Sequence, residues 1–356
     1  MAITDKEQGV WGVDQVYNKI NQGGIWNYTD PLGLYGWGRG TYGALGQNNQ
    51  TLYSSPVQIG VDAGWSKVTA NYLGMYGIKT DNTLWAWGIN WGGLLGQNQA
   101  HNTGNVSSPI QIGTDTDWST IHSGNAGQGF GIKTNGTMWV CGDGYLGAPG
   151  LNNQVSYSSP TQVPGTTWKQ VVGQNSKLAV KTDGTLWSWG YNSPSGQLGL
   201  NNKTNYSSPI QVGTNTTWDQ AAQVGTNISV AVKTDGTLWQ WGANPGDITG
   251  SPGSGLSSPT QVGTDTNWKS VYGTTYSIAA FKTNGTLWAW GNNEYATLGQ
   301  NNRTNHTSPK QIPGTTWTGD SWSCNNCTAA TKTDGTMWAW GYNTDYGTLG
   351  QNDIIN

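Results

Sequence analysis

Residues 181–190 read KTDGTLWSWG, and this stretch decides the fold. Its Asp183-Gly184 pair lies between two short runs of alternating polarity, which is the pattern of a β-hairpin. We expect a two-residue type I′ turn, because such a turn needs positive φ at both central residues and Asp-Gly adopts it at low cost. After the turn, Trp187 and Trp189 share one face of the strand. Neither strand face is polar, so the hairpin must be covered on both sides.

The same hairpin pattern recurs along the chain. Further copies occupy residues 79–88, 133–142, 233–242, 282–291 and 332–341, and a degenerate first copy ends LYGWG at residues 34–38. The seven closing glycines are 48 to 54 residues apart. A fixed period of this length indicates a repeat architecture built from seven similar units.

Each unit carries further motifs between successive hairpins. A Leu-Gly-Gln-Asn type corner, as at residues 45–48, precedes a Ser-Ser-Pro-x-Gln run, as at 54–58, and a Trp such as Trp65 then opens the next strand. Each unit therefore offers four short strands with two apolar faces. Radial packing covers both faces, so we predict an all-β, seven-bladed β-propeller of four-stranded blades. A linear β-solenoid is the alternative, although its repeats are usually shorter.

The two ends of the chain bear on how such a ring closes. The last unit ends in LGQN at residues 349–352 without a following Ser-Ser-Pro strand, and no such strand precedes the first unit. We expect the irregular residues 1–30 to supply the missing strands and to join the first blade to the seventh. Residues 1–356 then form a single domain.

Composition argues against several functional classes. Only 10% of the residues are charged and the net charge is −3, without a cluster of Lys and Arg, so we expect no nucleic-acid binding. The chain has no apolar run of about 18 residues and no visible signal peptide, so we expect no membrane insertion and no secretion signal. The hydrophobic fraction of 34% still permits a core, because 22 Trp and 16 Tyr supply buried area.

Most Trp residues recur at three positions of the unit. Six open strands, and two further sets of six come from the LWxWG motif, with Cys141 in place of one missing member. These eighteen are predicted to be core residues. The remaining four are candidates for contact with a partner: Trp11, Trp26, Trp91 and Trp322.

A second set of candidates precedes the Ser-Ser-Pro run. Equivalent positions of a propeller lie on a ring, and four of the residues at this position are aromatic: Tyr53, Tyr157, Tyr206 and His306. Tyr is favoured at interfaces because it buries a large area at low entropic cost, so these residues could form a contact surface. The alternative is that each packs on its own corner.

Catalytic and metal motifs are absent from the sequence. It contains no G-x-S-x-G elbow, no H-E-x-x-H and no P-loop, so we predict a non-enzymatic protein without catalytic residues, cofactor or metal. Cys324 and Cys327 form a lone C-x-x-C, which we interpret as a loop with two free thiols rather than as a zinc site. The few cysteines favour a protein made in a reducing cytoplasm.

The three motifs together resemble the repeat of the regulator of chromosome condensation family, over about residues 30–352. The resemblance implies a seven-bladed propeller. Propellers of this type serve as exchange factors, inhibitors, scaffolds and surface modules. The chromosomal members act on a small GTPase and contact chromatin through a basic N-terminal tail. Here Lys6 stands between Asp5 and Glu7, so we expect no such tail.

The leading functional hypothesis is a structural and interaction module. Its loops are nearly uncharged and rich in Asn, Thr, Ser and Gly, which favours a bacteriophage virion component of the capsid, neck, baseplate or tail, made in the host cytoplasm. Its partners would be other chains of the assembly, or a host-surface receptor or glycan. The first alternative is a bacterial protein-binding inhibitor or receptor-binding propeller, similar to secreted inhibitors of β-lactamase. The second is a guanine-nucleotide exchange factor.

Overall fold

In the computed structural model, nearly all the regular structure of the described residues is β-strand. The described residues are 33–60, 64–70, 74–99, 104–124, 127–243, 255–275, 277–324, 327–343 and 348–350, with the backbone alone described for 320–324. These ranges contain 25 strands and three short 3-10 helices, and no α-helix. The 3-10 helices are Thr41–Gly43, Trp91–Gly93 and Tyr145–Gly147.

The strands form seven antiparallel sheets that follow one another in the chain. A two-stranded opening sheet contains β1 (Tyr35–Gly38) and β2 (Tyr53–Gln58). Blade 1 contains β3 (Trp65–Ala70), β4 (Gly74–Lys79), β5 (Leu84–Gly88) and β6 (Val106–Gln111), and blade 2 contains β7 (Trp118–Gly124), β8 (Gln128–Lys133), β9 (Met138–Gly142) and β10 (Tyr157–Val163). Blade 3 contains β11 (Trp168–Val172), β12 (Ser176–Lys181), β13 (Leu186–Gly190) and β14 (Tyr206–Gln211).

The remaining sheets repeat this order. Blade 4 contains β15 (Trp218–Val224), β16 (Ile228–Lys233), β17 (Leu238–Gly242) and β18 (Leu256–Gln261), and blade 5 contains β19 (Trp268–Gly273), β20 (Ser277–Lys282), β21 (Leu287–Gly291) and β22 (His306–Ile312). Blade 6 has three strands, β23 (Trp317–Cys324), β24 (Cys327–Lys332) and β25 (Met337–Gly341). Each blade therefore begins with the predicted opening Trp.

The number of blades differs from the prediction. The described residues form six blades, not seven, and the opening sheet has only the third and fourth strands of a unit. Residues 1–32, which precede this sheet in the chain, lie outside the described residues. The predicted role of residues 1–30 in closing the ring lies outside them for the same reason.

Apolar side chains fill the spaces between neighbouring sheets. Six buried clusters each combine residues of two consecutive sheets, such as the cluster that joins Val230 of blade 4 to Trp268 of blade 5. The first strands of successive blades contact one another, so they lie nearest the axis and the fourth strands lie outside. The sheets thus cover both of their apolar faces by radial packing, as predicted.

One contact is repeated around the ring and also joins its ends. The indole N–H of Trp87 in blade 1 donates to the carbonyl of Ala44 in the opening sheet at 3.0 Å. Between the last blade and the opening sheet, the N–H of Trp37 donates to the carbonyl of Thr348 at 3.0 Å. The last blade is therefore held to the opening sheet by the same bond that holds consecutive sheets together.

The hairpin turn has a different geometry from the predicted type I′ turn. The amide of Lys181 donates to the carbonyl of Thr185 at 3.0 Å, and only Gly184 adopts positive φ, at 75°. The turn is therefore a three-residue loop that ends in a left-handed residue. Asp183 contributes its carboxylate instead, because Oδ1 accepts hydrogen bonds from the amide and the hydroxyl of Thr185 at 3.0 and 2.7 Å. These bonds lower the pKa of Asp183.

Gly184 is required by the neighbouring blade as well as by its backbone angle. A Cβ at this position would stand 2.1 Å from the carbonyl oxygen of Thr216, whereas a Cβ on Gly213, at φ 62°, would meet nothing within 4 Å. We expect Gly213→Ala to cost about 1 kcal/mol of unfolding free energy from backbone strain alone. Gly184→Ala should cost about 3 kcal/mol, because the overpacked contact adds to the same strain. Equal losses in urea unfolding would show that the contact with Thr216 relaxes without cost.

Candidate interaction surfaces

The blades present two edges on which contact surfaces can form. The corner edge carries the loops between first and second strands and between third and fourth strands. The hairpin edge carries the loops between second and third strands and between consecutive blades. The two edges lie at opposite ends of the strands, because the strands of each blade are antiparallel.

On the hairpin edge, the KTDGTLW motif forms one connected unit. In blade 3 the ammonium of Lys181 lies 4.6 and 4.4 Å from the ring centroids of Trp168 and Trp187. The N–H of Trp187 donates to the hydroxyl of Thr185 at 2.8 Å, and that hydroxyl donates to Asp183. The same lysine–indole contacts occur in the other blades, at Lys79, Lys133, Lys233, Lys282 and Lys332. The repeated lysines are thus held by cation–π attraction.

The predicted burial of the eighteen repeated Trp residues is only partly confirmed. The six opening Trp residues are buried, as are Trp87, Trp189, Trp241 and Trp290. The first Trp of the LWxWG motif is half-buried in five blades, and in blade 6 Trp338 is 51% exposed. These residues are not core, because each lies at the hairpin edge with a lysine and a threonine as its polar neighbours.

The four predicted ring residues occupy equivalent positions on the corner edge. Each pairs with the closing glycine of its own sheet and each is half-buried: Tyr53, Tyr157, Tyr206 and His306. The three tyrosine hydroxyls accept hydrogen bonds from Asn side chains of their own corners, at 2.9 to 3.2 Å. The tyrosines therefore pack on their own corners, as the alternative interpretation held, and contact with a partner stays a prediction.

Of the four Trp candidates, the structure describes the side chain of one. Trp11 and Trp26 lie outside the described residues, and so does the side chain of Trp322. Trp91 begins the 3-10 helix of the corner in blade 1 and is 51% exposed. Its exposure is consistent with the predicted contact role.

Trp91 belongs to a wider exposed surface that we call the corner patch, formed by Trp91, Asp143, Tyr145 and Val155. Tyr145 and Val155 of blade 2 are 60% and 56% exposed. Asp143 Oδ1 accepts hydrogen bonds from the amide of Tyr145 at 3.3 Å and from the hydroxyl of Ser156, the residue after Val155, at 3.2 Å. A Cβ on Gly127 would stand 3.5 Å from Asp143 Cβ and 3.8 Å from Trp91 Cδ1, so both side chains border the same glycine. The patch therefore spans two blades.

A buried polar cluster lies near the axis on the same edge. Lys177 is fully buried and its ammonium donates to Gln128 Oε1 of blade 2 at 3.2 Å and to the carbonyl of Gln174. Burial lowers the pKa of Lys177 to about 7. His122 Nε2 lies 3.0 Å from the carbonyl of Gly173, and burial lowers its pKa to about 4, with the charge of Lys177 adding to the effect. The cluster joins blades 2 and 3 through polar contacts.

Comparison with known proteins identifies this architecture. The family model of the regulator of chromosome condensation (RCC1) repeat matches residues 33–70, 183–232 and 284–318. Human WBSCR16 is similar in structure, with a TM-score of 0.77 and 19% sequence identity. The match covers 90% of this chain and 91% of WBSCR16. Yeast RCC1 (Prp20), bound to Kap60, gives 17% identity, 90% and 80% coverage, and a TM-score of 0.75. The chain is an RCC1-like β-propeller. The resemblance carried by the three motifs is thereby confirmed.

The cysteines of the RCC1-like propeller do not behave as predicted. Cys141 is buried and unpaired, and its Sγ donates to the carbonyl of Leu94 at 3.2 Å, at the position where other blades place an indole N–H. Burial raises its pKa to about 11. Cys327 is disulfide-bonded, so the interpretation of two free thiols is wrong. The pairing of β23 with β24 places the backbone of Cys324 directly opposite Cys327, which a lone C-x-x-C motif does not reveal.

The described part of the RCC1-like propeller offers neither a cluster of metal ligands nor a membrane-spanning helix. Among those residues, no three or more His, Cys, Asp or Glu side chains are grouped so that they could hold a metal ion. No helix among them is long and apolar enough to cross a membrane.

Sequence reasoning missed Tyr145, Val155 and Lys177. Tyr145 stands at the same corner position as Trp91, five residues before the corner glycine, so alignment of the units could have found it. Lys177 pairs with Trp189, at a position where the equivalent residues are uncharged, such as Met75 and Ser229. A charged residue at an otherwise uncharged repeat position could therefore have identified Lys177 from the sequence.

Proposed function

We propose that the RCC1-like propeller is a non-enzymatic protein-interaction module that binds a partner through the corner patch. One observation carries the proposal. Trp91 and Tyr145 are more than half exposed, and both belong to the surroundings of Asp143, which borders the same glycine as Trp91 and accepts a hydrogen bond from the amide of Tyr145. Contiguous exposed aromatic surface of this kind marks interaction sites in soluble proteins.

The composition of the corner patch fits a binding hot spot. Trp and Tyr dominate such sites because they bury a large area with few rotatable bonds. Asp143 adds a carboxylate to the patch, and a carboxylate accepts hydrogen bonds from a partner in preferred directions. The corner backbone is fixed by close packing, since a Cβ on Gly92 would stand 2.7 Å from the amide nitrogen of Asp143. The patch is therefore preorganised, and preorganisation lowers the entropic cost of binding.

Proteins with the same fold bind other proteins. Yeast RCC1 (Prp20) has been described bound to Kap60, and the Saccharomyces cerevisiae protein Prp20p has been studied for its binding to Gsp1p and histones. At 17% identity this likeness concerns the fold alone. It supports a module that binds a protein, while the corner patch supplies the location.

Site-specific photo-crosslinking in the native cell tests the proposal. A photoreactive amino acid at position 145 is expected to capture a discrete protein, and the Trp91→Ala substitution should reduce that capture about tenfold, as for a hot-spot residue. The matched control is the same probe at position 210, because Ile210 is 36% exposed within the outer strand of blade 3, away from the corner edge. Equal capture from both positions, or capture that survives Trp91→Ala, would contradict the proposal.

The other functional hypotheses are supported by fewer observations. The exchange-factor and inhibitor alternatives have the fold likeness behind them, but no residue-level feature of the described chain adds to it. A place in a bacteriophage virion stays a prediction from composition, and the matched proteins named above, from human and yeast, lend it no support. Binding of a host-surface glycan stays a prediction in the same way.

A further inference from the structure

The hairpin edge carries a charge pattern that differs from blade to blade. In blade 2 the ammonium of Lys133 lies 2.9 Å from Asp115 Oδ2 and 3.0 Å from Asp117 Oδ1. In blade 5 the ammonium of Lys282 lies 2.7 Å from Asp265 Oδ2. These carboxylates come from the loops that lead into the blades. A lysine held between two indoles can therefore bind a carboxylate at this edge as well.

Blades 3 and 4 hold the same lysine without such a carboxylate. In blade 4, Asn215 stands where the equivalent loops have Asp115 and Asp265, as the sequences GTNTTW, GTDTDW and GTDTNW show. In blade 3 the loop VPGTTW at residues 163–168 is one residue shorter and contains no acid. Among the described residues, neither Lys181 nor Lys233 forms an ion pair.

Lys133 of blade 2 and Lys233 of blade 4 differ in the direction of their pKa shifts. Burial lowers the pKa of Lys133, but the hydrogen bonds with Asp115 and Asp117 outweigh it, so that its pKa is raised. Burial also lowers the pKa of Lys233, and the nearby charge of Asp235 does not restore it. Lys233 is 8% exposed. Burial of its side chain therefore disfavours the charged form, which an added carboxylate would stabilise.

A second donor lies beside the lysine in blade 3. The indole N–H of Trp168 is buried and has no hydrogen-bond partner among the described residues. A Cβ on Gly165 would stand 3.5 Å from Lys181 Nζ and 3.6 Å from Trp168 Nε1, so both donors border the space beside the shortened loop. Trp118 and Trp268 also keep an unpartnered indole N–H although Lys133 and Lys282 beside them hold aspartates, so a carboxylate at this position is bound by the lysine.

We propose that Lys181 and Lys233 are paired carboxylate-binding positions for an acidic segment of a protein partner. Asp115 and Asp265 show within the same chain which group these positions accept. The two lie on adjacent blades in direct contact, because the amide of Trp218 donates to the carbonyl of Gly184 at 3.0 Å. The inference adds a second binding surface, which lies on the opposite edge from the corner patch. It rests on the proposed function only because it assumes that the propeller binds a protein.

The test uses the whole chain and a hexaglutamate peptide carrying a fluorophore, with a hexaglutamine peptide for comparison. At low ionic strength the glutamate peptide is expected to bind and the glutamine peptide to bind at least tenfold more weakly. Asn215→Asp supplies Lys233 with the resident carboxylate of blades 2 and 5, so it should weaken glutamate binding about fivefold, the upper range for an exposed ion pair. No lysine–indole contact is removed by this substitution.

Asn267→Asp is the matched control. It adds the same charge to the same loop of blade 5, at the position of Asp117 in blade 2, where Lys282 already has a carboxylate partner. It should leave the affinity nearly unchanged. Absence of glutamate binding, equal binding of both peptides, or equal weakening by both substitutions would overturn the proposal. Photo-crosslinking at the corner patch is independent of these outcomes, so each surface can fail without the other.

Discussion

Trp189→Ala is expected to lower the free energy of unfolding by about 3–5 kcal/mol, the range for removing a large aromatic side chain from a core. Trp189 is fully buried between blades 2 and 3, where its indole packs edge-on against Phe130 at a centroid distance of 6.3 Å. Its N–H donates to the carbonyl of Ala148 in the preceding blade at 2.9 Å. The substitution therefore opens a cavity and leaves a buried carbonyl without its partner, and both effects destabilise the same interface.

Trp338→Ala is the control for this prediction. Trp338 is also an indole of the repeated motif, with an N–H that donates to Thr336 at 3.1 Å and a lysine over its ring at 4.1 Å. It is 51% exposed, so its removal leaves no enclosed cavity and should cost about 1 kcal/mol. Chemical denaturation followed by circular dichroism measures both variants. A loss in Trp189→Ala within 1 kcal/mol of the control would show that the interface between blades is not what holds the ring together.

The fold could be predicted because its signal is repeated. A single KTDGTLW motif indicates a hairpin, but seven units of about 50 residues with apolar faces on both sides leave few architectures other than a closed ring. Four strands to a blade followed from the spacing of the corner, the Ser-Ser-Pro run and the opening Trp. The number of blades was set too high because the first unit was counted as a blade on the expectation that residues 1–30 supply its missing strands, whereas the described residues give it only two strands.

Local geometry was less accessible from the sequence. Asp-Gly is compatible with more than one turn, and the choice here depends on the bonds from Thr185 to the carboxylate of Asp183. Asn82 takes the glycine position in blade 1 with φ 61°, which shows that one left-handed residue is enough. The half-burial of Trp187 was missed because all residues on one strand face were assumed to be equally buried. At the hairpin end of that face, Trp187 instead contacts Lys181.

The candidate surfaces depended on contacts between blades, which sequence reasoning does not supply. Trp91 was found because it falls outside the repeated positions. Tyr145 and Asp143 could be joined to it only after the packing of two blades was known. In the same way, the sequence shows that Asp115 and Asn215 differ at equivalent positions of their loops. It does not show that Asp115 forms an ion pair with Lys133, and this pair is what makes the difference relevant to binding.

The stability of the propeller is expected to rise by about 2 kcal/mol between pH 7 and pH 9 because of Lys177. Burial holds the pKa of this lysine at about 7 in the folded chain, against 10.5 for an ordinary lysine. Between these values the unfolded chain binds the extra proton, so raising the pH favours the folded state, and below pH 7 both states are protonated and the penalty is constant. The folded-state pKa of His122 is about 4, below this interval. Burial raises the pKa of Cys141 from 9.0 to about 11, so this thiol opposes the rise only near pH 9, where it begins to ionise in the unfolded chain.

Lys177→Met should abolish this rise, since methionine fills a similar volume without a proton to lose. Urea unfolding at several pH values measures the slope for each variant, and differences in slope are insensitive to the fixed loss of the hydrogen bond to Gln128. Lys203→Met, which removes an exposed lysine, provides the control and should keep the slope of the unsubstituted chain. If Lys177→Met keeps that slope too, the ammonium reaches solvent in the folded state. The contact between blades 2 and 3 near the axis would then be open to water, and the polar cluster would contribute to binding rather than to the stability of the ring.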